Sequence, residues 1–188
     1  MTGYAFCGSF CTLADSFTQL EKLIESGMEI QPIMSEAVFE TDTRFGKAEH
    51  WRKRARELCG REIIHTIPQA EPLGPKTPLD MLILCPCTGN TLAKMACGIT
   101  DSPVCMAAKA HLRTDRPLII ALASNDAMSA NLKNIGTLLT RRGISFVPMY
   151  QDDPIRKPHS LVSDFSLLYK TVIDAREGKQ PRPLFLTK

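Results

Sequence analysis

Two hydrophobic periods alternate along this chain. Tyr4 to Cys7, Met81 to Cys85 and Pro117 to Ala123 are runs rich in apolar residues, the pattern of strands buried on both faces. Met28 to Ser35 and Ile144 to Val147 read the same way, and Ile63-Ile64 begins a short further strand. Between these runs the spacing changes to three and four. Leu13, Phe17, Leu20 and Ile24 make a helical stripe closed by Gly27, and Trp51, Ala55 and Leu58 make another within Lys47 to Cys59, capped by Gly60. Leu92, Met95 and Ala96 share a face that stops at Gly98. Ser102 as N-cap and Pro103 at the first helical position start a helix through Leu112. Leu132, Ile135, Leu138 and Leu139 predict a helix ending at Gly143. Ser160 caps a last one, with Leu161, Phe165, Leu168 and Val172 in register, to Gly178. Pro68, Pro72, Pro75 and Pro78 make residues 66–79 a loop without regular helix, and Tyr150 to His159 is an acidic loop.

The order is β-α-β-α-β-β-α-α-β-α-β-α. Such alternation predicts one α/β domain over residues 1–178: a doubly wound, Rossmann-like or flavodoxin-like parallel sheet in three α/β/α layers. Residues 179–188 form a C-terminal tail, an arm or a frayed end. Right-handed crossovers place the turns after Cys7, Ser35, Cys85 and Ala123 at the carboxyl edge of the sheet, where open α/β sheets bind ligands.

Composition adds exclusions. A net charge of +3, with no run of five basic residues, gives no footprint for nucleic acid. Arg52-Lys53-Arg54 with Arg56 reads as a solvated helix face. No apolar run approaches the roughly 20 residues that span a bilayer, and Met1 to Phe10 lacks a signal peptide's basic start and apolar core. Seven cysteines without an export signal point to reduced thiols. Cys7, Cys11, Cys85 and Cys87 offer enough thiolates for zinc or an iron–sulfur cluster. Cys7 and Cys85 sit where strand interiors take small apolar groups, so these thiols are read as core and no metal is assigned.

The turns carry the candidate chemistry. Gly8-Ser9-Phe10-Cys11-Thr12 allows close backbone approach and adds hydroxyls, although Gly-Ser also serves simply to cap a helix. Pro86-Cys87-Thr88-Gly89-Asn90-Thr91 offers N–H groups, two threonine hydroxyls and an amide at a helix N-terminus, suited to a phosphate or a heterocycle edge.

This second turn resembles the P-A-S-A-N-T segment of the flavin-dependent cysteine decarboxylases, which bind FMN. Pro86, Asn90 and Thr91 match, whereas Cys87, Thr88 and Gly89 depart. A second family segment, P-x-M-N-x-x-M-W, aligns with Leu122 to Ser129, where Asn125 and Met128 match. Those decarboxylases carry a histidine before the P-A-S-A-N-T turn. His65 stands several residues too early at a strand end, and Glu71 is nearest the expected position. That departure argues against decarboxylation.

Over nearly the whole length the chain is similar to a narrower family, the B subunits of dipicolinate synthase. Asp42–Gly46, Ala70–Lys76, Thr100–Ala110 and Gln151–Pro154 carry the likeness. It implies a cytoplasmic protein of the mother cell of a sporulating bacterium. It also implies a partner, the A subunit of that synthase, and oxidation of a dihydro- or hydroxy-tetrahydro-dipicolinate to dipicolinate. NAD(P) would reach the reaction through this partner. The alternative it leaves open is a non-catalytic assembly protein with a vestigial flavin site. By resemblance the chain forms a homo-oligomer built on trimers. The FMN contacts implied are Gly8, Ser9, Thr12, Ser35, Pro86, Cys87, Thr88, Asn90, Thr91 and Ser124. For a small dicarboxylate substrate the candidates are Arg44, Lys76, Lys109, Asn125 and Met128, with Glu71 and Asn125 as candidate catalytic groups. Each of these cations also has a plain reading as a solvated surface charge.

Overall fold

A computed structural model describes residues 1–187. Five parallel strands form its centre: β1 (Thr2–Phe6), β2 (Ile30–Met34), β3 (Met81–Cys87), β4 (Leu118–Ser124) and β5 (Ile144–Phe146), in the order β2-β1-β3-β4-β5. This is the flavodoxin-like order, whose direction reverses between β1 and β3. Two short strands, β6 (Met149–Tyr150) and β7 (Leu161–Ser163), extend it antiparallel from the end of β4, with Ala123 opposite Val162.

Strand residues alternate between two cores. Ala5, Leu82, Leu84, Ile120 and Leu122 face α5 (Gly89–Cys97), α6 (Pro103–Leu112) and α7 (Leu132–Leu139). Tyr4, Phe6, Ile83, Cys85, Ile119 and Ala121 face α1 (Leu13–Glu25), α3 (Ala48–Cys59) and α8 (Leu168–Arg176). On that second side Phe6, Phe17 and Trp51 stack in series, with ring centroids 4.6 and 5.2 Å apart. No helix among the described residues is long and apolar enough to cross a membrane.

Several local expectations change. Leu161–Ser163 is strand β7 rather than the start of the last helix. The open end of β4 takes its backbone groups into a ladder, and Asp164, accepting from Ser166 N–H, starts the helical turn in place of Ser160. Ile63-Ile64 forms only a bridge to Ile33, since the segment is too short to continue a ladder. The proline-rich stretch holds one turn, α4 (Ile67–Ala70). Thr66 and Gln69 cap it reciprocally, and Pro68 stands in the first turn, where a missing N–H costs nothing. A second short helix, α2 (Glu36–Glu40), follows β2 at once. Within the expected tail, whose last residue lies outside the described ones, Gln180 bonds both backbone groups of Phe146, and Leu184 and Leu186 bond Met149.

His111, fully buried on α6, constrains stability with pH. Its Nε2 lies 2.8 Å from the Pro117 carbonyl and therefore carries the proton, while Nδ1 has no partner. Burial holds its pKa below the usual 6.5, against the opposing Pro117 hydrogen bond. A second proton would leave a charged, unpaired N–H in the core. The unfolded chain binds that proton more readily, so this contribution is complete above 6.5 and is lost as pH falls below it. Urea midpoints are expected to fall between about pH 7.5 and pH 5.5, and less so in His111→Gln. An unchanged profile in the variant would assign the loss to other groups.

Candidate functional site

Three of the four turns meet at the reversal between β1 and β3. They enclose a cleft of about 280 Å³ lined by Gly8, Ser35, Glu36, Ala37, Thr88, Asn90, Thr91, Lys94 and Ser102. Thr88 is the N-cap of α5, and its Oγ1 accepts the Thr91 N–H and donates to Thr91 Oγ1, both at 3.2 Å. Earlier N–H groups of that first turn face outward from the helix end, where the dipole favours an anion. Lys94 lies one turn further and pairs with Asp101 at 2.8 Å, which raises the pKa of its ammonium.

Two features suit this cleft to a phosphorylated ligand. Ser35 Oγ is shielded from solvent and has no hydrogen-bond partner, although buried hydroxyls are normally satisfied. Gly8 leaves open the space between Ala37 and the Phe10 ring, where a Cβ would stand 3.4 and 3.5 Å from its neighbours. The residues present therefore fit the phosphate end of FMN: hydroxyls, helix N–H groups, one ammonium and a bare backbone. Glu36 is the one acid among them.

The other expected contacts are placed differently. Thr12 Oγ1 donates at 3.0 Å to both the carbonyl and the hydroxyl of Ser9, so this pair closes its own turn outside the cleft lining. Pro86 and Cys87 belong to β3 and are buried. Ser124 stands on the far side of α5, where it and Asn131 both donate to Asp126. Those bonds, Ser124's first, hold the Asp126 carboxyl below its usual range. The trio presses on Gly89: a Cβ there would lie 2.4 Å from Ser124 Oγ and 2.6 Å from Asn131 Nδ2. Glycine replaces the decarboxylases' alanine at this point because the β4 turn occupies the space.

The candidate substrate groups do not converge. Arg44 lies over the Phe45 ring on an exposed loop, 4.8 Å from its centroid. Glu71 and Lys76 are exposed on the segment that returns the chain to the amino end of β3. Lys109 borders a separate groove with Met95, Arg113 and Arg141. Asn125 is exposed, and Met128 lines an apolar groove of about 510 Å³ with Leu132 and Phe185. His65 rests on the Phe39 ring at 3.8 Å, and its N–H bonds Gln69.

Glu36, Ala37, Lys94 and Ser102 join the cleft without a sequence signal that singles them out for it. Lys94 is within reach of the sequence, because it follows Asn90 by four positions on one helix face. Ser102 reads only as a cap, and nothing local tells that α6 begins beside α5's first turn.

Comparison with known proteins agrees with this architecture. The sequence profile of the Flavoprotein family matches residues 4–167. The chain is similar to the B subunit of dipicolinate synthase from Bacillus subtilis, 42% identical over 184 residues, spanning 98% of this chain and 92% of that one. The crystal structure of the dipicolinate synthase B subunit from Bacillus halodurans superposes with a TM-score of 0.91 at 38% identity, over 100% of this chain and 96% of that one. The FMN-dependent cysteine decarboxylase SpaF shares the fold, with a TM-score of 0.67 at 22% identity over 93% and 95% of the two chains.

Proposed function

The chain belongs to the Flavoprotein family, alongside the B subunits of dipicolinate synthase, and from that premise we propose that it binds FMN in the β1–β3 cleft and works with the synthase's A subunit in forming dipicolinate. The observation that carries the flavin reading is the shielded, unpartnered hydroxyl of Ser35, a residue that lines the cleft with Gly8 and Thr88. Ser35 and the first-turn N–H groups of α5 hold the phosphate, Lys94 supplies charge, and Gly8 lets the ligand lie against backbone. FMN, when bound, would supply an acceptor for the hydride that leaves a dihydropyridine on aromatisation, the second proton passing to solvent. The cleft falls just under the usual size of ligand pockets, about 300–1,000 Å³. A neighbouring copy in a trimer-based homo-oligomer completes its wall.

A second reading has an observation of its own. Arg44, Lys76 and Lys109 lie apart from the cleft, and Lys94 is already paired with Asp101. The cleft alone thus has little with which to grip a dicarboxylate. In this reading the A subunit holds the substrate and an NAD(P) cofactor, and the present chain shapes the assembly.

Titration with FMN, with and without that partner, separates binding from its absence: binding is expected to shift the flavin absorption bands and quench its fluorescence. Turnover by each protein alone and by their mixture then distinguishes the two readings. The first expects product only from the mixture, and full turnover by the partner alone would leave the assembly role.

A further inference from the structure

Behind the cleft wall lies a pair of thiols that the proposed flavin chemistry does not use. Cys7 follows β1 and Cys87 ends β3, each one residue before a cleft-lining residue, Gly8 and Thr88. Beyond the ladder that pairs Ala5 with Leu84, the Cys7 N–H donates to the Pro86 carbonyl at 3.1 Å, a parallel bond one residue out of that register. In such a ladder an N–H bonds the carbonyl preceding its partner, so Cys7 stands opposite Cys87.

Neighbouring strands lie about 4.8 Å apart, within the Cα separations of about 4.4–6.8 Å that a disulfide spans. Both side chains must also share a face, and simple alternation would put Cys87 with Cys85. β3 is irregular here instead: its register against β4 shifts between Leu84 and Cys87. Cys85 therefore faces the α1 side, while Cys7 and Cys87 share the core under α5. The Cys87 thiol donates to the Thr88 carbonyl at 3.6 Å, at the start of α5. The proximity of Cys87 first, and of Thr91 and Thr88, lowers the Cys7 pKa, whereas the neighbouring Cys7 and burial push the Cys87 thiol well up. Cys7 is thus the readier nucleophile of the two.

We propose that Cys7 and Cys87 are a redox-active dithiol, closed to a disulfide by a small hydroperoxide, and that its state controls the cleft in front of it. In the first step the Cys7 thiolate attacks a peroxide oxygen; the S–O bond forms and the O–O bond breaks. The hydroxide released takes up a proton to leave as water. The Cys87 thiol then attacks the sulfenic sulfur; the S–S bond forms, the S–O bond breaks, and a second water leaves. Two thiols and one hydroperoxide (as hydrogen peroxide) become one disulfide and two waters, so atoms and electrons balance. Only a water-sized oxidant suits thiols this deeply buried. Closure takes the Cys87 sulfur from the carbonyl of Thr88, the cap of the helix that faces the cleft.

The test uses the whole reduced protein treated with hydrogen peroxide, then denatured and assayed for free thiols. The expected result is two fewer than the seven in the sequence. Fragmentation of the linked peptides should place the bond between Cys7 and Cys87. Cys87→Ala, which installs the residue the cysteine decarboxylases carry there, should fold and show no such loss. Seven thiols remaining in the wild type, or the same loss persisting in Cys87→Ala, would overturn the pair; so would a bond to nearby Cys105. Control of the cleft rests on the flavin reading and is measured separately, by FMN titration of the oxidised and reduced forms. Oxidation is expected to weaken FMN about tenfold, the worth of one displaced hydrogen bond to a charged group. Unchanged affinity in an oxidised, cross-linked protein would remove the control and leave the dithiol. Thiol counts do not depend on FMN, so failure of the flavin reading is distinguishable from failure of the pair.

Discussion

Gly8→Leu is expected to weaken FMN binding about a hundredfold while the protein stays folded. The backbone at Gly8 has no positive φ, so a side chain there adds no conformational strain. A Cβ meets Ala37 and Phe10 at 3.4 and 3.5 Å, ordinary contact distances, and Gly8→Ala should fold normally and bind nearly as well. Gly8 and Ala37 both line the cleft, so the remaining three carbons of leucine are expected to enter it. Forcing ligand and side chain into one space costs about 1–3 kcal/mol, up to a hundredfold in affinity. Fluorescence titration of wild type, Gly8→Ala and Gly8→Leu reads the series, and thermal unfolding checks the fold. Full affinity in the leucine variant would move the flavin away from this cleft.

Gly74→Ala is expected to be among the most destabilising alanine substitutions in the chain, by about 3 kcal/mol. A Cβ at Gly74 would lie 2.5 Å from the backbone carbonyl oxygen of Ala110 and 3.1 Å from its carbon. That neighbour is helix α6 itself, so no rotamer change relieves the clash. Leu73 and Leu79, on either side, are anchored in the core, and Pro72 accepts N–H bonds from both Gly74 and Thr77. The loop cannot withdraw without lifting those leucines. Denaturant unfolding measures the loss, and a change under about 0.5 kcal/mol, the usual surface value, would contradict the close approach. Gly60→Ala is a poor control because its φ is +61°, whereas Gly136, with open space around it, is a fair one.

The parts legible in the sequence are those written in spacing. The continuous apolar runs around Tyr4, Ile83 and Ile120 announce central strands, since only a strand covered on both faces needs them. The stops at Gly27, Gly60 and Gly98 are equally readable, and all three adopt positive φ. Leu161 misleads because a serine before an apolar stripe is also a helix start, and the competing demand comes from the unpaired end of β4, far away in the chain. Of the candidate cleft, Gly8, Thr88, Asn90 and Thr91 are visible as polar strand-end turns. Ser124 reads as part of it too, because topology alone brings all four turns to one edge. The packing of Gly89 against Ser124 and Asp126 puts the fourth turn on the other side of α5.

By itself, then, the sequence determined the α/β class, the order of the five central strands and their main helices, and that the turns after them share one edge of the sheet. These follow from periodicity and from the handedness of crossovers, which are local or universal. Only the tertiary structure decided which turns touch. It brought Lys94 and Ser102 to the cleft and left Ser35 Oγ without a partner. It also turned Cys87 to the face of Cys7 instead of that of Cys85. Those outcomes depend on a register shift and on distances between packed elements, which no count of residues along one segment contains.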